Sequence, residues 1–397
     1  MQDKGELFFV HGFYQSDKYG HNYLKKHERK GVVLLKDSFD SEYVASGITV
    51  ELSQKVIYGQ DIVQGNFVYY NGETVLNADF DPSSVVFGEL NNRLSSEVML
   101  GYENNKPTNS EIDVTKCYSY HVNVGHGNCS ILVFYAEGKW FMWVVDCSIH
   151  DFMNGVNYSN NMDRCLSDIK KEFHLKSISK LLISHLHYDH INGIEYLIRN
   201  NLISPDTEIW MNTRYPWKQQ TYNRILLKLL HLGVHFIDPV ICNSTRNLRI
   251  LYPYESYDSD NLAPARNINN ASVLYQICLG NKSMLFTGDI ETEGWQHVTN
   301  CYPNLRDSTY YCLSHHGSIN GFQRTTCPQC CFDFHVQTME FCTQKTAVQI
   351  LMGRDGAYPG IYSKYVLSLF HSRNLHLTEN TKHYLRICWD DDEVEYK

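Results

Sequence analysis

Four residues able to hold a metal fall within six positions: His185, His187, Asp189 and His190, in the run Ser184-His185-Leu186-His187-Tyr188-Asp189-His190. Neutral imidazoles suit a borderline cation such as zinc, and a carboxylate adds charge and a harder oxygen donor. The run follows Lys180-Leu181-Leu182-Ile183, a short apolar segment that reads as a buried strand, so the donors fall where a strand of an α/β protein ends. Alternate side chains of an extended segment share a side, which pairs His185 with His187 before the chain turns at Asp189 and His190. Two ions could share that corner. A surface loop that merely happens to hold three histidines is the bland alternative, and the density of donors behind a buried strand disfavours it.

The same scheme recurs twice. Ser283 to Thr287 is a strand running into Gly288-Asp289, and Thr309 to Leu313 is a strand delivering Ser314-His315-His316-Gly317-Ser318. Convergence of donors from distant segments is what a folded metal site requires. Around these runs, Tyr120–Val124 and Cys129–Phe134 read as strands flanking the turn Gly125-His126-Gly127-Asn128, and Trp140 to Val145 is a third apolar run ending in Asp146. Met162, Cys165, Leu166, Ile169 and Phe173 recur at helical spacing; Ile194, Leu197 and Ile198 fit a second helix, and Tyr222 to Leu232 a third that Gly233 stops. His231 and His235 lie around that stop and read as solvated histidines rather than ligands. Glu208–Met211, Ser272–Leu279, Ala347–Met352 and Tyr384–Ile387 complete the strands, Ile361–Phe370 is helical, and Asp390 to Glu393 is an acidic, solvated tail.

Residues 1–112 differ in character from the rest of the chain. Val32–Leu35, Ile48–Leu52 and Phe67–Tyr70 are strand-like runs separated by turn signals, of which Asn71-Gly72 is a good hairpin turn. They predict a small β-rich domain whose aromatics are core, with no chemistry assigned to it. The polar stretch Glu103–Ser110 is the linker, and residues 113–397 form the second domain.

At 397 residues, 43% hydrophobic and 20% charged, the balance is that of a globular protein. A formal charge of −9 argues against a broad basic groove for duplex nucleic acid. The N-terminus lacks a secretory pattern and no stretch approaches ~18 uninterrupted apolar residues, so a soluble, cytoplasmic protein is expected. Thirteen cysteines, many among apolar neighbours, suit reduced core thiols. Cys327-Pro328-Gln329-Cys330-Cys331 is half a zinc knuckle with no second Cys-x-x-Cys to complete it.

The order of these motifs resembles the metallo-β-lactamase superfamily over roughly residues 115–390. Asp146 resembles the family's first-motif aspartate, His185 to His190 its second motif, Asp289 the aspartate that can bridge two metals, and His315 the late histidine ligand. The finer resemblance is to the metallo-β-lactamase domain of competence-type DNA-uptake channel proteins and its stand-alone relatives. Val124-Gly125-His126-Gly127-Asn128 is similar to their Val-Gly-Gln-Gly-Asp turn, Asn269-Asn270-Ala271-Ser272-Val273 to their Asn-Asn-x-Ser-Leu, and His315-His316-Gly317-Ser318 to their late motif. His126 and Asn128 depart from that pattern. The third-motif histidine, normally a ligand of the first metal, has no convincing counterpart between Gly193 and Asn267.

The resemblance implies a four-layer αββα sandwich, preceded here by the small β-rich domain. It implies two divalent ions, Zn2+ or alternatively Mn2+, held by His185, His187, Asp189, His190, Asp289 and His315. Such ions lower the pKa of bound water towards neutrality, giving hydroxide that attacks phosphorus or carbonyl centres. Asp189 and His316 are the catalytic candidates, and Asp146, Asn270, Ser272 and Ser318 would orient ligands or contact substrate. The expected activity is a phosphodiesterase or nuclease acting on single-stranded nucleic acid or a nucleotide. Hydrolysis of a small ester, lactone or amide is an alternative, as is an effector or binding module whose residues 1–112 recognise a protein partner.

Overall fold

The computed structural model describes residues 5–14, 31–40, 45–52, 62–78, 81–108, 112–253, 268–301, 308–321, 348–363, 366–367, 370 and 374–397. The half zinc knuckle Cys327, Cys330 and Cys331 lies outside the described residues, as do part of Glu103–Ser110 and part of Ile361–Phe370.

Two sheets face each other across an apolar layer. The longer has eight strands and brings Lys180–Leu182 between Lys139–Cys147 and Glu208–Trp210, parallel to both; the other has six and sets Lys282–Phe286 parallel to Tyr310–Cys312. Strands buried on both faces need no alternation, which is why Lys180-Leu181-Leu182-Ile183 is uniformly apolar beyond its first residue. Leu132, Phe134, Trp143 and Val145 from the first sheet meet Ile250, Tyr275, Ile277 and Phe286 from the second to fill the layer between them. On the outer face of the longer sheet lie helices Ser159–Phe173, Ile194–Arg199 and Gln220–Leu232. On the outer face of the shorter one lie helix Thr292–Cys301, through Trp295 and Val298, and the segment carrying Ile361, Tyr362 and Val366. The result is the four-layer αββα order, built because each sheet must cover both of its apolar faces.

Helix Ser159–Phe173 buries Met162, Cys165, Leu166, Ile169 and Phe173, the residues that recur at helical spacing, and Gly233 ends helix Gln220–Leu232 in the left-handed conformation at φ 71. Cys117, Cys129, Cys147, Cys165 and Cys312 are buried free thiols.

The N-terminal residues form a separate five-stranded antiparallel sheet in the order Ser46–Glu51, Gly31–Lys36, Glu6–Tyr14, Phe67–Tyr70, Val75–Asn77. Alternation divides it: Phe9, Val33, Leu35 and Phe67 pack towards the helices of the larger body, while Phe8, Val10, Val32, Leu34 and Val68 form a cluster on the opposite face. Phe9 sits edge-on to Trp217 with ring centroids 4.7 Å apart. The pairing of Glu6–Tyr14 with Gly31–Lys36 is interrupted once: Val10 opposes Leu34 and Gly12 opposes Val33, so His11 is an extra, unpaired residue in a β-bulge.

This region also contains the longest helix of the molecule among the described residues, Pro82–Asn104 of 23 residues, which no apolar period in the sequence announces. Its buried face is Ser84, Asn91, Leu94, Val98 and Tyr102, too polar to show as such a period, while Val85 and Val86 are exposed. The start signal is nonetheless present: Asp81 caps the helix by accepting from Ser83 N, and Pro82 occupies the first turn. No helix of the described residues is long and apolar enough to cross a membrane.

Candidate metal centre

Asp146, His185 to His190, Asp289 and His316 come together where strands of both sheets end. The two sheets are stitched there, since Val273 N donates to Ser184 O at 2.7 Å and Tyr275 Oη donates to Ile183 O at 3.1 Å; within the six-stranded sheet, His315 N donates to Gly288 O at 3.1 Å. Gly288 is required by this approach. Its φ is 51, and a Cβ there would lie 2.7 Å from Ser184 Cβ and 2.9 Å from Ser272 Oγ. Gly127 is required for the neighbouring turn, since at φ 145 its Cβ would meet Ser148 Oγ at 2.6 Å and Asp189 O at 2.7 Å.

Four imidazoles have one nitrogen engaged outward; the other nitrogen of His185, His190 and His316 is aimed at the two carboxylates, and that of His187 at His185. His190 Nδ1 donates to Asp146 Oδ2 at 2.9 Å, leaving Nε2 3.3 Å from Asp289 Oδ1. His316 Nδ1 donates to Met352 O at 3.0 Å, leaving Nε2 3.2 Å from Asp189 Oδ2 and 3.6 Å from Asp289 Oδ2. His187 Nε2 donates to His11 O at 2.9 Å, leaving Nδ1 3.0 Å from His185 Nε2. His185 Nδ1 lies 3.1 Å from Ser184 Oγ, and its Nε2 is 3.8 Å from Asp289 Oδ2. We assign the tautomers from these outward partners, as carbonyl and carboxylate acceptors fix them in metal-binding histidines. Asp146 anchors the arrangement, because it also accepts from Ser184 N at 2.7 Å and from Ser184 Oγ at 2.8 Å.

All these groups are buried: Asp189, Asp289, His185 and His316 are each 1% exposed. Burial alone would raise both carboxyl pKa values. For Asp189 the imidazoles of His11, His126 and His316 overcome it, and for Asp289 those of His316, His190 and His315, holding both well below the usual carboxylate range. Burial likewise pushes His185 and His187 well below the ordinary histidine value, so both face the cluster neutral.

The donors fit a divalent cation. Donor atoms of His185, His187 and Asp289 lie within 4.8 Å of one another, and so do those of His190, Asp289 and His316. Two further groups of the same kind are His126 with Asp189 and His316, and His11 with His187 and Asp189. Asp189 Oδ1, Asp289 Oδ1, His126 Nε2, His190 Nε2 and His316 Nε2 are buried without a hydrogen-bond partner among the described residues. Buried polar atoms rarely stay unpaired. Their spacings of 3.2 to 3.6 Å match the roughly 3.3 Å between two donors that share a tetrahedral zinc at about 2.0–2.1 Å.

His315 stands at the margin, with Nε2 3.9 Å from Asp289 Oδ2 and Nδ1 3.5 Å from Glu291 Oε1; of the adjacent pair it is His316 that enters the donor groups. The backbone decides this, for both residues adopt left-handed conformations, φ 49 and φ 48, which send the second imidazole inward. Asn270, Ser272 and Ser318 are engaged with backbone: Asn270 Oδ1 accepts from Glu291 N, Ser272 Oγ from Asp289 N and Ser318 Oγ from Asn320 N. His231 and His235 are exposed, away from the cluster.

Two histidines of the cluster carry no assignment in the sequence. His126 stands there only as a departure in a family turn, and His11 lies in a strand to which no chemistry is given. Neither has a neighbouring donor in sequence to mark it, although the glycines around His126 signal a tight turn.

No protein-family model matches the chain, and no curated protein matches it in sequence. Solved structures do align. The metallo-β-lactamase fold protein YhfI from Bacillus subtilis aligns over 50% of this chain and 71% of its own, with 10% identity and a TM-score of 0.29. A diphosphatase from the PhnP family aligns over 66% and 94%, with 13% identity and a TM-score of 0.32. A protein described as a metal-dependent hydrolase from Parabacteroides distasonis aligns over 67% and 96%, with 12% identity and a TM-score of 0.33.

Proposed function

We propose that this chain is a metal-dependent hydrolase acting on phosphodiesters, of single-stranded nucleic acid or of a nucleotide. The observation that carries the reading is the pair of buried carboxylates, Asp189 and Asp289, each with an unpartnered oxygen inside a ring of imidazoles, of which His185, His187, His190 and His316 have one nitrogen tied elsewhere. His185, His187 and Asp289 would hold one ion, and Asp189, His190, Asp289 and His316 the other, with Asp289 common to both. A divalent ion held there supplies Lewis-acid polarisation and makes water nucleophilic near neutral pH.

The residues of the chain do the rest. Asp146 accepts from His190 Nδ1 and the Met352 carbonyl from His316 Nδ1, so with an ion bound in place of the Nε2 protons each would offer Nε2 as the lone pair. Burial pushes His315 down to about 4, against the opposing pull of Asp289, so it meets a substrate neutral. It can hydrogen-bond a substrate oxygen at Nε2, the atom nearest Asp289. The phosphodiester class is supported by the sequence resemblance to DNA-uptake domains and by the negative net charge, which favours a small or single-stranded substrate over a duplex.

The test is hydrolysis of bis(p-nitrophenyl) phosphate and of labelled single-stranded DNA by zinc- or manganese-loaded protein. Turnover that vanishes in His187→Ala with Asp189→Ala supports the reading. Full activity in that double variant removes the cluster from the mechanism, and turnover of lactones or esters alone removes the phosphodiester class.

A further inference from the structure

We propose that the N-terminal sheet supplies a metal ligand, His11, to the centre formed 176 residues further along the chain at His187. The inference rests on the metal-dependent reading of the site and names a donor that the sequence motifs do not contain. Between Gly193 and Asn267 the only histidines are His231 and His235, both exposed, so that stretch brings no imidazole to the site.

His11 fills the need from another direction. It is 3% exposed, its ring centroid lies 4.2 Å from that of His187, and its Nε2 lies 3.6 Å from Asp189 Oδ1. A separation of 3.6 Å is too long for a hydrogen bond, yet close to the spacing of two donors on one ion. The donor atoms of His11, His187 and Asp189 all lie within 4.8 Å of one another.

The backbone holds the residue in place for that purpose. His11 is the extra, unpaired residue of the bulge, and like Phe9 two residues before it, its side chain faces the larger body, where its ring meets Phe152 and His187. Its carbonyl accepts from Gln64 Nε2 at 2.8 Å and from His187 Nε2 at 2.9 Å. Gln64 is held in turn by Gly65 N donating to Val10 O at 3.0 Å. One residue thus performs two tasks: its carbonyl sets the tautomer of His187, and its imidazole adds a donor beside it. The N-terminal sheet and the sandwich then share a single site, and neither completes it alone.

The experiment uses the full chain, stripped of metal and dialysed against zinc, with bound ions counted by mass spectrometry and coordination read from the visible spectrum of the cobalt-substituted protein. The wild type is expected to bind two ions. His11→Ala and the size-preserving His11→Gln are expected to weaken one of them by more than about 100-fold, beyond the usual effect of groups that act only through a ligand, and to change the cobalt bands. His11→Asp, which restores a donor, is expected to recover the ion. Fluorescence of Trp217, which packs on Phe9, reports whether the sheet remains docked. Two ions of wild-type affinity with an unchanged cobalt spectrum in His11→Gln overturn the proposal while leaving the metal centre intact. A wild type that binds no metal overturns both readings together.

Discussion

The strand Lys180–Leu182 has a buried polar cluster at each end, and the two are built on opposite principles. At its start, Lys180 pairs with Glu208 and donates to Thr108 Oγ1 at 3.1 Å; Glu208 also accepts from Thr108 N at 3.0 Å and from Trp210 Nε1 at 3.1 Å. The ammonium lies over the rings of Trp143 and Trp210, 5.6 and 5.5 Å from their centroids. Each polar atom there has a partner. At its end, the imidazoles and carboxylates converge with buried atoms left over. A satisfied cluster holds the fold together, whereas an unsatisfied one that points inward from several sides is arranged for something the chain itself does not contain.

Experiments that break one end and not the other sharpen the contrast. The largest effect is expected from Asp289→Asn, which should lower kcat/KM on bis(p-nitrophenyl) phosphate at least ~10³-fold, about 4 kcal/mol of barrier, with the circular dichroism spectrum unchanged. Lys180→Met should do the reverse. Removing one partner of a buried pair costs about 3–5 kcal/mol, read by urea unfolding, while metal content per folded chain stays constant. Adding Glu208→Leu should recover most of that loss, because no charge is then left unpaired.

Chelation comes next. An ion held at 100 times its Kd stabilises the native state by about 2.7 kcal/mol, so a chelator should lower the melting temperature of the wild type but not of Asp289→Asn. The smallest effect concerns a histidine outside both clusters. His121 is buried between Ser130 Oγ at 2.9 Å and Ser119 Oγ at 3.3 Å, and burial, helped by His376, pushes its pKa down to about 3. Between about pH 6.5 and pH 3 the unfolded chain takes up a proton that the folded one refuses. Stability therefore falls as pH falls through that window, by at most about 1.4 kcal/mol per pH unit. His121→Gln should flatten the acid limb of the stability curve there.

What is legible in the sequence is what is local. His185 to His190, Gly288-Asp289 and His315-His316 each follow an apolar run, and a strand end announces its donors within a few residues. The choice between His315 and His316 depends on two left-handed backbone conformations that composition does not reveal. His11 is invisible for a different reason: Glu6–Tyr14 is a nearly continuous apolar and aromatic run, in which a lone histidine has no second donor beside it and the extra residue of the bulge leaves no mark. The helix Pro82–Asn104 is hidden by the mixed polarity of its buried face, where Asn91 donates to Trp217 O and Asn223 Oδ1 beside Leu94 and Val98.

Remove His11 in thought, and Val10 opposite Leu34 would be followed directly by Gly12 opposite Val33, an unbroken ladder. The sheet on its own account would be more regular one residue shorter. Chain length at this point is thus itself a functional quantity: a deletion that tidies the N-terminal sheet would withdraw an imidazole from the centre, and a redesign that keeps every neighbouring side chain but not the count between Val10 and Gly12 would lose it just as surely.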